Sequence, residues 1–175
     1  DNGHTIIDVI FAVASGHDYN YESVIRINSE GLNYIPASKM LASTTAVLSS
    51  ISDSQEVMKK ILSSPYFNER FDYIIIDCRP SLDLLVTNAL VASDKLLIPV
   101  QAEKFSLDGV NNIMETFYRI KRTANPNLEL GGLLITMYDK RTNMARAVEE
   151  SLRDFYLDKV FYTVIPSLVE ATNSH

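Results

Sequence analysis

From residue 70 onward, short β-branched and apolar runs alternate with stretches whose apolar residues recur at helical spacing, and this alternation restricts the chain to an α/β layer architecture. The apolar runs are Phe71–Asp77, Lys95–Val100, Gly131–Met137 and Lys159–Ile165. In the first, Ile74, Ile75 and Ile76 follow one another without polar interruption before Asp77, the pattern of a strand covered on both faces in a parallel sheet. Three helices are predicted between the runs. Ser81–Ser93 places Leu82, Leu85, Ala89 and Ala92 on one face with Ser81 as its N-cap. A longer helix capped by Ser106 turns Leu107, Val110, Ile113, Met114, Phe117 and Ile120 inward and ends at Asn125-Pro126-Asn127. The third, Asn143–Phe155, turns Met144, Ala147, Val148, Ser151 and Leu152 inward. Strand and helix in this order predict a mostly parallel sheet flanked by helices. The first 70 residues are less regular. They read as helices over Thr5–Ala14, Tyr21–Ile27, Ala37–Ser50 and Gln55–Ser64, with an edge-like strand at Leu32–Pro36.

A chain of 175 residues, 46% of them hydrophobic, fills one core and is short for two, so a single domain over 1–175 is expected. The net charge of −6 excludes the broad positive field of a strong nucleic-acid binder, and any DNA contact has to be local or depend on assembly. Cys78 is the sole cysteine, which excludes an internal disulfide framework and a multi-cysteine metal centre, and fits a reducing cytoplasmic setting. The longest apolar runs, such as Ile6–Ala14, fall well short of the roughly 20 residues a membrane helix needs, so no membrane segment is expected.

In open α/β sheets ligands sit beyond the carboxyl ends of the strands, so an aspartate ending the run Ile74–Asp77 faces the usual site. A carboxylate there holds magnesium, directly or through water, and thereby positions nucleotide phosphates. Four apolar residues followed by aspartate also occur where the aspartate only caps a helix or shapes a turn, and from the motif by itself both readings stand.

The wider pattern is more specific. Phe71 to Cys78, Pro80-Ser81-Leu82, Thr87-Asn88-Ala89-Leu90, Ile98 to Glu103 and Leu107-Asp108-Gly109 together resemble the Walker B region of ParA/Soj partitioning ATPases, which are deviant-Walker P-loop proteins. Gly132 to Asn143, Val160-Phe161 and Val164-Ile165-Pro166 continue the resemblance in order and spacing, and Gly31 to Ser38 resembles the family's segment before its central helices. The resemblance implies a P-loop NTPase-like fold, truncated here to the central and C-terminal part. It also implies use of ATP and Mg2+ by the full-length parent, an ATP-dependent homodimer, non-specific DNA binding, a ParB-like centromere-binding partner and a nucleoid-associated, cytoplasmic, bacterial setting without a membrane. By position Asp77 is the Walker B, magnesium-associated carboxylate. Met137 and Pro166 stand at strand ends near the adenine, with Tyr138 and Asp139 opening the adjacent loop. The plainer readings are a core methionine and a strand-ending proline. Arg141 and Arg146 are the candidate DNA contacts, against the reading of Arg146 as part of a solvated helix face.

The departures matter equally. No Gly-Lys-Thr or Gly-Lys-Ser occurs, and the only adjacent glycines, Gly131-Gly132, open a strand. The chain by itself is therefore expected neither to bind ATP tightly nor to hydrolyse it. Both ends, at Asp1 and His175, are expected to be cut rather than natural. Arg79 stands where the family has a proline, Asp83 where glycine is common, and Ser167 and Glu170 where arginines are common. Two rivals follow: a non-catalytic ParA-like interaction module, and a MinD-like membrane-cycling ATPase, which needs a C-terminal amphipathic helix not visible here. His4, His17 and His175 lie far apart and predict no metal site; Glu149-Glu150 reads as an exposed helix face, and Cys78 as a packed thiol rather than a nucleophile.

Overall fold

The computed structural model describes residues 3–79, 81, 83–103 and 106–167, apart from the side chains of 42, 43, 47 and 106, and divides into two compact units, 1–93 and 94–175. In the first unit, Thr5 accepts from Ile7 N–H at 3.3 Å while Asp8 accepts from Thr5 N–H at 2.7 Å, a capping box that starts helix α1 at Ile6–Ala14. The predicted helix over Tyr21–Ile27 is replaced by one 3-10 turn, Tyr21–Ser23, and a short antiparallel hairpin of β1 (Arg26–Ile27) and β2 (Asn33–Tyr34). The reason is local: Asn28 accepts from the N–H groups of Glu30 and Leu32 at 3.0 and 2.9 Å, and Gly31 takes φ +82°, so the chain turns where a helix would have continued. Helices α2 (Leu41–Leu48), α3 (Val57–Leu62), α4 (Pro65–Asn68) and α5 (Leu84–Ala92) follow. The core gathers Val9, Ile10, Val24, Leu48, Val57, Ile61 and Phe67.

Two side chains define α5. Its N-cap is Asp83 rather than Ser81, because Asp83 Oδ1 accepts from both Leu85 and Val86 N–H at 3.0 and 3.2 Å. One turn further on, the buried Asn88 donates to Ser54 C=O at 2.7 Å and accepts from Met58 N–H at 3.1 Å. Met58 lies in the first turn of α3, whose own cap residue Glu56 makes no side-chain bond, so α5 caps α3 from outside.

The interior strand predicted over Phe71–Asp77 does not form: residues 73–79 carry no regular structure, and Tyr73 and Ile75 are 90% and 93% exposed. A strand exists only through its ladder, and among the described residues none pairs with this run. The pattern had the right composition and lacked a partner.

The second unit realises the predicted alternation as β3 (Lys95–Gln101), α6 (Ser106–Thr123), β4 (Glu129–Tyr138), α7 (Asn143–Tyr156) and β5 (Val160–Pro166). The three strands are parallel in the order β3-β4-β5. Ile98 and Val100 are buried on β3 while Leu97 is half exposed, so this strand alternates instead of being covered on both faces. From α6, Val110, Met114, Phe117 and Ile120 reach the core, whereas Leu107 stays 37% exposed. The helix begins at Ser106 itself. On α7 the buried stripe is Ala145, Val148 and Leu152, one position away from the predicted Met144 and Ala147. Thr142, accepting from Ala145 N–H, is its cap.

Gly131 and Gly132 open β4 for a steric reason. Leu96 pairs with Leu130 and Leu97 with Gly132, so Gly131 is the extra residue of a bulge. Gly132 has φ +151°, and a Cβ built there would stand 2.7 Å from the Phe161 ring and 3.0 Å from Lys159 C=O. The ring can turn away; the carbonyl, fixed beside β5, cannot. Gly132→Ala is therefore expected to lower the unfolding free energy by about 2 kcal/mol, read from urea denaturation; a shift within about 0.5 kcal/mol, the range of a neutral surface change, would show that the backbone there relaxes freely.

Candidate functional site

Asp77 is exposed and accepts no hydrogen bond from the described residues. It lines a cavity of about 650 Å³ in the first unit, whose walls include Ile6, Ile10, Phe67 and Phe71 and whose polar end is formed by Asp77, Cys78, Arg79, Ser81 and Asp83. Among the described residues no group of three or more His, Cys, Asp or Glu side chains is placed to hold a metal. One free carboxylate with no protein cage suits magnesium, which takes one or two carboxylates and leaves its other positions to phosphate and water. It does not suit a metal held by protein ligands alone.

The polar end is ordered around Asp83. Its Oδ2 accepts from Arg79 Nη2 and from Ser81 Oγ, each at 2.9 Å, while Oδ1 caps α5. Burial pushes the Asp83 carboxyl up, and the hydrogen bonds from Val86, Ser81, Arg79 and Leu85 outweigh it, so its pKa falls below the usual carboxylate value. Cys78 is exposed instead of packed, with a weak contact from its thiol to Ile76 C=O at 3.8 Å. Desolvation, then the charges of Asp77 and Asp83, raise its pKa, so it stays a thiol at neutral pH and is no nucleophile.

The remaining candidates belong to the second unit, beyond the carboxyl ends of β4 and β5. Tyr138 pairs with Pro166 across the ladder, and Met137 stands one residue before Tyr138 on β4. Met137 has φ +52°, in the left-handed region that costs a non-glycine residue about 1 kcal/mol, and the register between β4 and β5 shifts there. One residue later β4 ends at Tyr138, and the loop that follows carries Asp139 and Arg141.

Arg141 grips Asp139 as a fork, Nε to Oδ1 at 2.9 Å and Nη2 to Oδ2 at 2.8 Å, and its backbone N–H also donates to Oδ1. These bonds hold Asp139 down at about 2. The stabilisation is present above the unfolded carboxylate value near 4 and is lost as pH falls toward 2. Arg141→Ala, which keeps the backbone N–H bond to Oδ1, is expected to raise the Asp139 midpoint part of the way from about 2 toward the free value near 4 in an NMR pH titration; a midpoint still near 2 would mean that the guanidinium is not the cause. The same fork neutralises Arg141, so a phosphate must compete with Asp139 for it. Arg146 is exposed and donates to Asn143 Oδ1 and to Lys140 C=O, its charge unpaired by any acid among those contacts.

Residue reading missed one network. Glu149 is not simply an exposed face: it accepts from Arg153 Nε at 2.9 Å, and Arg153 also donates to Phe161 C=O at 3.2 Å. The Glu149 carboxylate beside Tyr138 raises the phenol's pKa, and Tyr138 together with Arg153 lowers that of Glu149. The i,i+4 spacing of Glu149 and Arg153 was the available signal. Pro80, Leu82 and Glu170 lie outside the described residues. No helix among the described residues is long and apolar enough to cross a membrane.

The family model for the AAA domain matches residues 2–130. The chromosome-partitioning ATPase Soj of Treponema pallidum is 35% identical over 173 residues, covering 98% of this chain and 66% of that protein. The sporulation initiation inhibitor protein Soj of Bacillus subtilis is 39% identical over 145 residues, covering 83% of this chain and 56% of its own length. Among solved structures, the cobyrinic acid a,c-diamide synthase of Mycobacterium smegmatis with bound ATP analog and magnesium is similar at a TM-score of 0.85 and 29% identity, covering 96% of this chain and 66% of that one. Apo McdA of Cyanothece, at a TM-score of 0.81 and 17% identity over 98% of this chain and 70% of that one, shares the fold. The chain thus spans about 56% to 66% of the length of the first curated relatives it matches.

Proposed function

Because the chain belongs to the AAA-domain family, in its ParA/Soj partitioning-ATPase branch and with an α/β, P-loop NTPase-like fold, we propose that the whole protein hydrolyses ATP to drive the partitioning of a chromosome or plasmid. The observation that carries this reading is the sustained similarity to proteins named as partitioning ATPases over 98% of the chain. The unengaged Asp77 carboxylate at the polar end of a cavity supports it.

In this reading Asp77 holds Mg2+, which when bound offsets negative charge on the nucleotide phosphates. Its exposure and lack of internal partners leave its oxygens available for that task. Met137 and Pro166, near the carboxyl ends of two neighbouring parallel strands, border the adenine in this reading. The phosphate grip itself must come from residues other than these 175, in which no Gly-Lys-Thr or Gly-Lys-Ser occurs. We extend the proposal to an ATP-dependent homodimer that binds DNA non-specifically from a cytoplasmic, nucleoid-associated position, with a ParB-like centromere-binding partner. Of the two candidate DNA contacts, Arg146 is the freer, since Arg141 is already held by Asp139.

The test is DNA-stimulated ATP turnover by the whole protein, with and without Asp77→Ala. Turnover that disappears with the carboxylate supports the assignment. Turnover unchanged in that variant sinks it, and a whole protein with no turnover at all is the non-catalytic interaction module.

A further inference from the structure

Nothing of its own fixes Asp77. It accepts no hydrogen bond from the described residues, and its segment pairs with no described strand. Six residues later, at its N-cap Asp83, helix α5 begins, and it buries every residue from Thr87 to Val91. That N-cap is a carboxylate with all its capacity used. Asp83 Oδ1 takes Leu85 and Val86 N–H, and its Oδ2 takes Arg79 Nη2 and Ser81 Oγ, while Ser81 N–H donates to Arg79 C=O at 2.7 Å. Arg79 and Ser81 are thereby tied to Asp83 at the first turn of a buried helix.

We infer that the Arg79–Asp83 ion pair is a positioning lock that presents Asp77 to the magnesium-bound nucleotide; this rests on the proposed role of Asp77. Two physical points favour a positioning role over a stabilising one. The pair is open to water, with Arg79 56% and Asp83 23% exposed in their side chains, and pairs of that kind contribute only about 0 to 1 kcal/mol to stability. The second point concerns charge. Asp77 and Arg79 are two residues apart and line the same cavity. While Asp83 holds Arg79, the guanidinium does not compete with the cation for Asp77. Without the Asp83 charge it is free to pair with Asp77 and displace the metal.

That competition gives the lock a signature that a merely structural role lacks. The experiment is a titration of Mg2+ into the whole protein with a fluorescent, non-hydrolysable ATP analogue, reading the Mg2+ concentration at half-maximal nucleotide binding, with thermal unfolding measured alongside. Arg79→Ala is expected to raise that midpoint about threefold, and Arg79→Lys to restore most of it. Asp83→Asn keeps the Oδ1 cap yet releases Arg79, and is expected to raise the midpoint about tenfold. The double variant is expected to fall back to the Arg79→Ala value, a non-additivity expected only of coupled groups. If Asp83→Asn fails to fold, Arg79→Ala and Arg79→Lys still decide the matter. Midpoints unchanged in these variants, or a double variant worse than either single one, overturn the lock while Asp77→Ala still abolishes the Mg2+ dependence. A Mg2+ dependence that survives Asp77→Ala overturns the underlying reading instead.

Discussion

Asn88→Ala is expected to destabilise the protein by about 3 kcal/mol, one of the two largest effects anticipated for a single substitution here. Asn88 is 2% exposed, and its amide bonds three backbone groups: Met58 N–H, Ser54 C=O and Leu84 C=O. Leu84 C=O lies one helical turn behind and keeps its α5 backbone donor, so its loss is minor. The other two groups keep no such substitute. Each buried polar group left unsatisfied costs about 1 to 3 kcal/mol, and α3, only six residues long, depends on the outside cap for its first turn. Asn88→Asp separates the two bonds. It keeps the acceptor for Met58 N–H, loses the donor for Ser54 C=O and buries a charge, so at neutral pH it is expected to be at least as damaging as alanine. Burial raises the pKa of such a carboxyl, so acidification protonates it and restores a donor, and the order of Asp and Ala should reverse in favour of Asp. Urea denaturation gives the magnitude, and hydrogen exchange at the Met58 amide gives the location. A loss under about 1 kcal/mol with that amide still protected would mean that α3 finds another cap.

How much of this was legible depends on where each element draws its hydrogen bonds. The runs at 95–101, 129–138 and 160–166 became strands as predicted, since each has a parallel neighbour with which to share a ladder. The run at 71–77 has the same composition and no described partner, and composition cannot report a partner. The cap of α5 was ambiguous in the sequence because Ser81 and Asp83 both offer an oxygen. The structure assigns both, Asp83 to the helix and Ser81 to Asp83. The helix expected over Tyr21–Ile27 does not extend past Ser23: Val24 and Ile25 are β-branched, and the Asn28 side chain, competing for backbone N–H groups, favours the turn.

The site was legible in a different sense. Asp77, Met137, Pro166, Arg141 and Arg146 were found through the resemblance, and the structure places the last four in one unit and Asp77 in the other. What no pattern could supply was the state of each group. The fork that occupies Arg141, the left-handed backbone at Met137 and the lock around Asp83 are three-dimensional facts. The i,i+4 spacings of Arg79 with Asp83 and of Glu149 with Arg153 were the only local hints of the latter contacts.

Asp77→Ala in the whole protein is expected to cut ATP turnover at least about 100-fold, equivalent to roughly 2.7 kcal/mol of transition-state stabilisation. Phosphoryl transfer is catalysed almost entirely by positioning and charge, so under the proposed role a carboxylate that only places the magnesium ion still commands a large share of the barrier reduction. The same substitution should leave unfolding within about 0.5 kcal/mol of the parent, because the side chain is exposed and accepts no hydrogen bond from the described residues. That separation of activity from stability is the diagnostic. Asp77→Asn, which keeps the shape and removes the charge, is expected to behave like alanine at ordinary Mg2+ and to recover in part when Mg2+ is raised, since a neutral oxygen still offers a weak ligand. Cys78→Ser is the neighbouring control: its exposed thiol, raised in pKa by burial and by the charges of Asp77 and Asp83, has no part in the chemistry, and its turnover should match the parent within about twofold. If Cys78→Ser were as inactive as Asp77→Ala, the loss would belong to the backbone of this segment, which has no described sheet partner, and the carboxylate would have no special claim.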